Sequence, residues 1–97
     1  MTEQFYSWDS AEYLDTEEDV RLYLEACIEE DPGDGSLIRH ALGTIAKARG
    51  ITSLAEETGL TRAGLYKALG SDGNPSFTTV LRVVQALGCK LTVVQRG

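Results

Sequence analysis

Arg62 and Lys67 are the residues whose chemistry is most informative in the sequence. The planar guanidinium group of an arginine can donate two hydrogen bonds to a guanine edge, and a lysine can contact a base or a phosphate. Both residues lie in the segment ITSLAEETGLTRAGLYKALG, residues 51–70. If residues 61–69 form a helix with its leucines turned inward, both cations lie on its outer face. This spacing indicates a helix that binds nucleic acid.

The same segment has the residue types that a helix-turn-helix motif requires where its two helices approach. Ala55 is small at the point of closest approach, and Gly59 supplies the backbone freedom of the turn. The predicted inward positions are Leu54, Leu60, Leu65, Ala68 and Leu69. The sequence therefore predicts a second helix that presents residues 62, 63, 66 and 67 to the DNA major groove.

The predicted DNA contacts are of two kinds. Arg62 is the best candidate for reading a base, Lys67 can meet a base or a phosphate, and Ala63 can touch a thymine methyl group. Tyr66 lies on the same face, although a tyrosine on a short helix packs as often at the edge of a core. The candidates for holding phosphates lie at or near helix starts: Thr52, Ser53, Thr61, Asn74 and Ser76.

Five main helices are predicted, so the fold class is all-α. The first covers about residues 17–30 and ends in the turn DPGDGS, residues 31–36. The predicted N-caps are Thr16, Ser36, Thr52 or Ser53, Thr61 and Ser76. The buried stripes expected in the first, second and fifth helices are Val20, Tyr23, Leu24, Cys27 and Ile28; Ile38, Ala41, Leu42, Ile45 and Ala46; and Phe77, Val80, Leu81, Val84 and Leu87.

The alternating, β-branched tail predicts a short strand from Leu91 to Gln95. A lone strand leaves its backbone groups unpaired, so it must pair with the N-terminal segment or with a second copy of the chain. We favour the second copy, which predicts a homodimer. Residues 1–35 are expected to form an acidic, helical N-terminal extension of one compact unit, and residues 36–97 the DNA-binding domain with its strand.

Charge is divided unevenly along the chain, whose formal net charge is -6. Residues 1–36 hold twelve acidic residues and one basic residue, a balance of -11. Residues 37–97 hold three acidic and eight basic residues, a balance of +5. The predicted DNA-binding segment is therefore basic, and the acidic third is free to face something other than nucleic acid.

No pattern in the sequence organises a catalytic or metal site. Cys27 and Cys89 are far apart without metal-ligand spacing, so they are interpreted as reduced thiols, and His40 has no second histidine beside it. We expect no enzyme activity, no metal and no cofactor. The absence of a long apolar run and of an N-terminal signal segment predicts a cytoplasmic protein that does not contact a membrane.

Three stretches carry a resemblance to a known family: EYLDTEEDVRLYLEACIEE, IRHALGTIAKARG and ETGLTRAGLYKALGSDGNPSFTTVLRVVQALGCKLTV. The chain resembles the addiction module antidote proteins, which are helix-turn-helix antitoxins of the lambda-repressor-like (Xre), HigA-related kind. The likeness extends over about residues 9–94. It implies a lambda-repressor-like bundle that binds and silences a basic toxin of the RelE/ParE-like fold.

The resemblance also implies a homodimer that represses the shared operon by binding a palindromic operator in double-stranded DNA. The family's base-reading positions match Thr61, Arg62 and Ala63, with Lys67 one turn further along. Ala63 and Gly64 stand where the family commonly has a polar or acidic residue.

The predicted toxin-binding surface combines aromatic and acidic residues near the N-terminus, a composition that suits a basic partner. Its candidate residues are Phe5, Tyr6, Trp8, Tyr13 and Leu14. The simpler alternative is that these side chains pack over the domain's own core. Two other functions stay open: a stand-alone repressor of phage type, and a protein-interaction module that does not bind DNA.

Overall fold

The computed structural model describes residues 14–96, and this part of the chain contains helices and no strand. The helices are α1 (Glu17–Glu30), α2 (Ser36–Arg49), α3 (Ile51–Thr58), α4 (Arg62–Leu69) and α5 (Phe77–Ala86). α2 packs against α1, α3 and α4, and α5 packs against α3. The predicted all-α class is confirmed for the described residues. No helix among them has the length and apolar character needed to cross a membrane.

α1 begins as the sequence predicts, with Thr16 as its N-cap. The Thr16 hydroxyl accepts a hydrogen bond from the backbone N–H of Asp19 at 3.0 Å. The Asp19 carboxylate accepts in return from the Thr16 N–H at 3.2 Å. This reciprocal capping box satisfies two backbone donors that the first turn would otherwise leave free.

The start of α2 differs from the prediction, because Ser36 is its first residue and not its cap. Gly35 is the N-cap, with φ 80° and no side-chain hydrogen bond. Asp31 caps the helix from a distance, since its Oδ1 accepts from the N–H groups of Leu37 and Ile38 at 2.9 and 3.2 Å. The loop folds back on itself, so a carboxylate at the end of α1 reaches the first turn of α2.

The predicted cap of α3 by Thr52 or Ser53 is wrong. Gly50 is both the C-cap of α2 and the N-cap of α3, so α3 begins at Ile51 and both hydroxyl residues lie inside its first turn. No residues separate the two helices other than this glycine, whose positive φ of 102° allows the change of direction.

One apolar cluster joins all five helices. It includes Cys27 from α1, Leu42 from α2, Leu54 from α3, Leu65 from α4 and Val83 from α5. Most of the predicted stripes are buried, and Leu37 and Val83 are buried in addition. The predicted division of the chain at residue 35 stays a prediction.

Two residues predicted to be buried are exposed. Ile28 is 51% exposed and Phe77 is 69% exposed. Ile28 follows the buried Leu24 by four residues, at the edge of the α1 stripe. Phe77 is the first residue of α5. The buried residues Val83, Val84 and Leu87 lie at least six residues further along the chain, so the core that covers them does not reach Phe77. Periodicity identified the stripes but not where the neighbouring helices stop covering them.

The predicted strand is not found in the single chain. Residues 89–96 have no strand assignment, and Val93 is 94% exposed. The physical reason is that a strand needs a hydrogen-bonded neighbour, and the described residues offer none. Pairing of Leu91 to Gln95 with a second copy stays a prediction.

Candidate nucleic-acid interface

A tight turn over residues 59–61 joins α3 to α4. Gly59 adopts a left-handed conformation with φ 76° and ψ 14°, and its N–H donates to the carbonyl of Ala55 at 3.0 Å. The N–H of Leu60 donates to the same carbonyl at 3.1 Å. Glycine enters this backbone conformation without the steric cost that a side chain adds, which is why the turn can be so short.

Thr61 caps α4, as predicted. Its Oγ1 accepts a hydrogen bond from the N–H of Gly64 at 2.9 Å. The N–H groups of Arg62 and Ala63, in the first turn, have no partner within the helix and remain available to an external acceptor. The threonine oxygen accepts the capping bond, so the donors that this helix start offers are its first backbone N–H groups and the threonine O–H.

α4 has the orientation that its leucine spacing predicts. Leu65 and Leu69 are buried beneath it, whereas Arg62, Ala63, Tyr66 and Lys67 are exposed. Within residues 14–96, neither cationic side chain makes an ion pair or a hydrogen bond. Both charges on this face are thus uncommitted.

A groove runs between α4 and the start of α5. Three predicted phosphate contacts, Lys67, Asn74 and Ser76, line it, together with Gly64 and Thr79; the acidic side chain of Asp72 lies on the same lining. The structure therefore brings these three predicted contacts to one place. Thr52 and Ser53 do not line this groove; they are exposed in the first turn of α3.

The groove depends on a close backbone approach at Gly73. A β-carbon built on Gly73 would overlap the carbonyl groups of Ala68 and Lys67, at the end of α4. The N–H of Gly73 donates to the carbonyl of Gly70 at 2.9 Å, which closes the turn. A residue without a side chain is needed here to place Asn74 beside α4.

Ser76 caps α5 as predicted, since its Oγ accepts from the N–H of Thr79 at 3.1 Å. The same hydroxyl lies 3.1 Å from the hydroxyl of Thr79, to which it donates. Unlike the O–H of Thr61, this O–H already has an acceptor, so the free donors are the first backbone N–H groups of the helix.

Arg39 supports the loop beside this groove, a role that its sequence position does not indicate. Its Nη2 donates to the carbonyl of Ser71 at 3.0 Å, which ties α2 to the loop that carries Asn74. Its Nε is buried without a hydrogen-bond partner. The two residues are separated by 32 positions in the chain, so no local pattern could have indicated the contact.

Tyr66 fits both of its predicted descriptions. Its side chain is exposed on the outer face of α4, yet it also lines a cavity of about 210 Å³ between α2 and α4, beside His40 and Lys47. His40 is itself exposed.

The cysteines are free thiols. Cys27 is completely buried, and Cys89 is partly buried. Burial raises the pKa of the Cys27 thiol above its ordinary value, although a hydrogen bond with Tyr23 opposes the shift. A buried thiol with a raised pKa is chemically inert. Among residues 14–96, no cluster of histidine, cysteine or acidic residues could hold a metal ion.

Comparison with known families supplies the decisive observation. A family model described as probable addiction module antidote protein matches residues 4–95. The chain belongs to this family.

A relative of this antidote protein is an uncharacterised protein of Haemophilus influenzae (strain ATCC 51907 / DSM 11121 / KW20 / Rd). It is 46% identical over 95 residues, which cover 98% of this chain and 96% of the relative. No solved structure matches the chain significantly. The family description names an antidote, which implies a toxin partner.

The residues predicted to bind that toxin fall mostly outside the described part of the antidote protein. Phe5, Tyr6, Trp8 and Tyr13 lie in residues 1–13, which the structure does not describe. Leu14 is partly buried and packs against the core, which favours the simpler alternative at this one position.

Proposed function

We propose that this antidote protein silences a toxin of the RelE/ParE-like fold by direct binding and represses the operon that encodes both proteins. Repression would use sequence-specific binding of double-stranded DNA. The observation that carries the DNA-binding half is the outer face of α4, where Arg62 and Lys67 are exposed and uncommitted above the buried Leu65. A helix whose leucines pack on the core and whose outer face carries two cations is suited to the major groove.

Each part of the site would have its own role on DNA. Arg62 would pair with a guanine edge, and Ala63 would contact a thymine methyl group. Lys67 and the N–H groups at the start of α5 would hold phosphates along the groove that Asn74 lines. Thr52 and Ser53, at the start of α3, would contact a phosphate outside that groove.

A symmetric dimer would allow two copies of α4 to read the two halves of a palindromic operator, about 34 Å apart. The tail supports a dimer, because Leu91, Val93 and Val94 are exposed and their backbone has no strand partner among the described residues. Pairing of Leu91 to Gln95 between two copies would bury these side chains.

The DNA-binding half is tested by measuring fluorescence anisotropy with a duplex of the protein's own promoter. The variant Arg62→Ala with Lys67→Ala should bind at least about tenfold more weakly, because a lost bidentate base contact alone costs about 1–3 kcal/mol. The matched control is Arg21→Ala. This exposed arginine lies on the acidic helix α1, where it already pairs with Glu18 and Glu25.

Equal binding by the double variant and the wild type would remove the proposed roles of both residues. A wild-type protein that shifts no promoter DNA, even at low salt, would instead support a protein-interaction module. For true DNA binding, the logarithm of affinity should fall against the logarithm of salt concentration with a slope of about -0.9 per phosphate contact.

The toxin-binding half is supported by family membership and by the balance of -11 over residues 1–36, which suits a basic partner. Its test is co-expression with the adjacent reading frame. If that frame encodes the toxin, its expression alone should stop growth, and this protein should restore it. Repression of the promoter without any toxic neighbour would identify a stand-alone repressor instead.

A further inference from the structure

The outer face of α1 combines exposed apolar side chains with acidic ones. α1 packs against α2 through a buried stripe that includes Val20, Leu24 and Cys27. Leu22, on the opposite side of the helix, is 49% exposed, and Ile28, at the edge of the stripe, is 51% exposed; neither belongs to the core cluster. Two large aliphatic side chains thus project from a helix whose other face already supplies its packing.

Glu25 lies three residues from each of these two aliphatic residues, so it stands between their side chains on the surface of the helix. Glu18, Leu22, Glu25 and Glu29 follow one another at spacings of four, three and four residues, which places them on one face of the helix. Arg21 pairs with Glu18 at 3.2 Å and with Glu25 at 3.5 Å. The face nevertheless remains negative, because the exposed Glu29 makes no ion pair among the described residues.

The charge of this face limits what can cover it. DNA is excluded because phosphates are repelled by the carboxylates, and a second copy that docked face to face would bring the same acidic residues together. A basic protein surface would match both features of this face. Its cations would pair with the carboxylates, and apolar pockets in it would accept the aliphatic side chains.

We propose that the outer face of α1, with Leu22 and Ile28 as apolar anchors and Glu25 and Glu29 as charged contacts, is a docking surface for the basic toxin. This inference rests on the proposed function, since it names where the antidote holds its toxin. It adds a helical surface to the N-terminal residues that the sequence analysis selected.

The test titrates the purified product of the adjacent reading frame with full-length antidote protein by isothermal calorimetry. Leu22→Ala with Ile28→Ala should weaken binding at least about tenfold, as expected for the loss of two interface anchors. Glu25→Lys with Glu29→Lys should also weaken binding, and raising the salt concentration should narrow its difference from the wild type. Phe77→Ala is the matched control, because it removes an exposed apolar side chain from α5.

Thermal unfolding and promoter binding of the α1 variants should match the wild type, which separates loss of docking from loss of folding. Unchanged toxin affinity in the Leu22→Ala, Ile28→Ala variant would overturn the inference while leaving the proposed function intact. Equal weakening by Phe77→Ala would overturn it as well, because the effect would not be specific to α1. If the wild type bound no toxin, the proposed function itself would fail.

Discussion

α1 and α4 both pack on α2, yet their outer faces have opposite charge. On α1 the exposed charges are carboxylates, with Arg21 paired to two of them. On α4 they are Arg62 and Lys67, and the helix contains no acidic residue. The net charge of -6 is a sum over the chain, and it hides two surfaces of opposite charge that would attract different partners.

The difference explains how an acidic protein could bind DNA through α4. Attraction to phosphate is decided within about a Debye length of ~10 Å, so the charge close to α4 matters more than the total. A basic toxin would be drawn to α1 for the same reason. Two functions can therefore coexist on one small domain if their charged faces are carried by different helices.

The largest expected effect is on the free energy of unfolding, and it compares a buried leucine of α4 with an exposed leucine of α1. Leu65→Ala should lower the free energy of unfolding by about 2–5 kcal/mol, because it leaves a cavity under α4 in the centre of the core. Leu22→Ala is the matched substitution on α1 and should change it by less than about 0.5 kcal/mol, since that side chain lies outside the core. Urea unfolding followed by circular dichroism measures both.

Hydrogen exchange in the same two variants sharpens the comparison. Cys27 and Leu65 belong to one apolar cluster, so Leu65→Ala should reduce the protection of α1 amides as well as α4 amides. Loss of protection confined to α3 and α4 would contradict a single compact unit. The acidic extension would then be a separately unfolding part of the chain.

A smaller effect is expected at the groove beside α4. Gly73→Ala should destabilise the fold by about 1–3 kcal/mol and weaken promoter binding, because the added methyl group overlaps backbone carbonyls at the end of the helix. Ser71→Ala is the control, since it keeps the carbonyl that Arg39 contacts. Promoter affinity that survives Gly73→Ala unchanged would show that the position of Asn74 is not important for DNA binding.

Local signals predicted much of the α3–α4 region. The spacing of Leu65 and Leu69 gave the orientation of α4, and the residue types at Gly59 and Thr61 gave the turn and the cap. All of these depend on interactions between residues close together in the chain, which is why one sequence was enough.

Longer-range features could not be predicted in this way. The contact of Arg39 with Ser71 joins a helix to a distant loop, and the exposure of Ile28 depends on where α2 stops covering α1. The capping of α2 by Asp31 spans six and seven residues and needs the loop to fold back first. Each is decided by tertiary packing, which periodicity does not describe.

Asp31 gives the smallest expected effect and tests the junction between the acidic helix and the rest of the chain. Its carboxylate accepts hydrogen bonds from four backbone N–H groups at 2.8 to 3.2 Å, those of Gly33, Gly35, Leu37 and Ile38. Desolvation by itself would raise the pKa of this carboxyl, but the four hydrogen bonds outweigh it and hold the pKa below its ordinary value. Asp31→Asn should therefore lower the thermal midpoint at neutral pH, although by less than Gly73→Ala does.

The pH dependence of that difference follows from the sign of the shift. Because the pKa is lowered in the folded state, the stabilisation is fully present above the ordinary aspartate pKa of about 3.9 and is lost as pH falls through the lower, folded value. The urea midpoints of the wild type and of Asp31→Asn should be measured at stepped pH, and the difference between them should disappear over this acidic range. Asp72→Asn, an exposed control on the α4–α5 loop, should show no such difference. If the difference in urea midpoint stayed constant down to low pH, the charge of Asp31 would not help to join α1 to α2. Packing alone would then fix the position of α1 on α2.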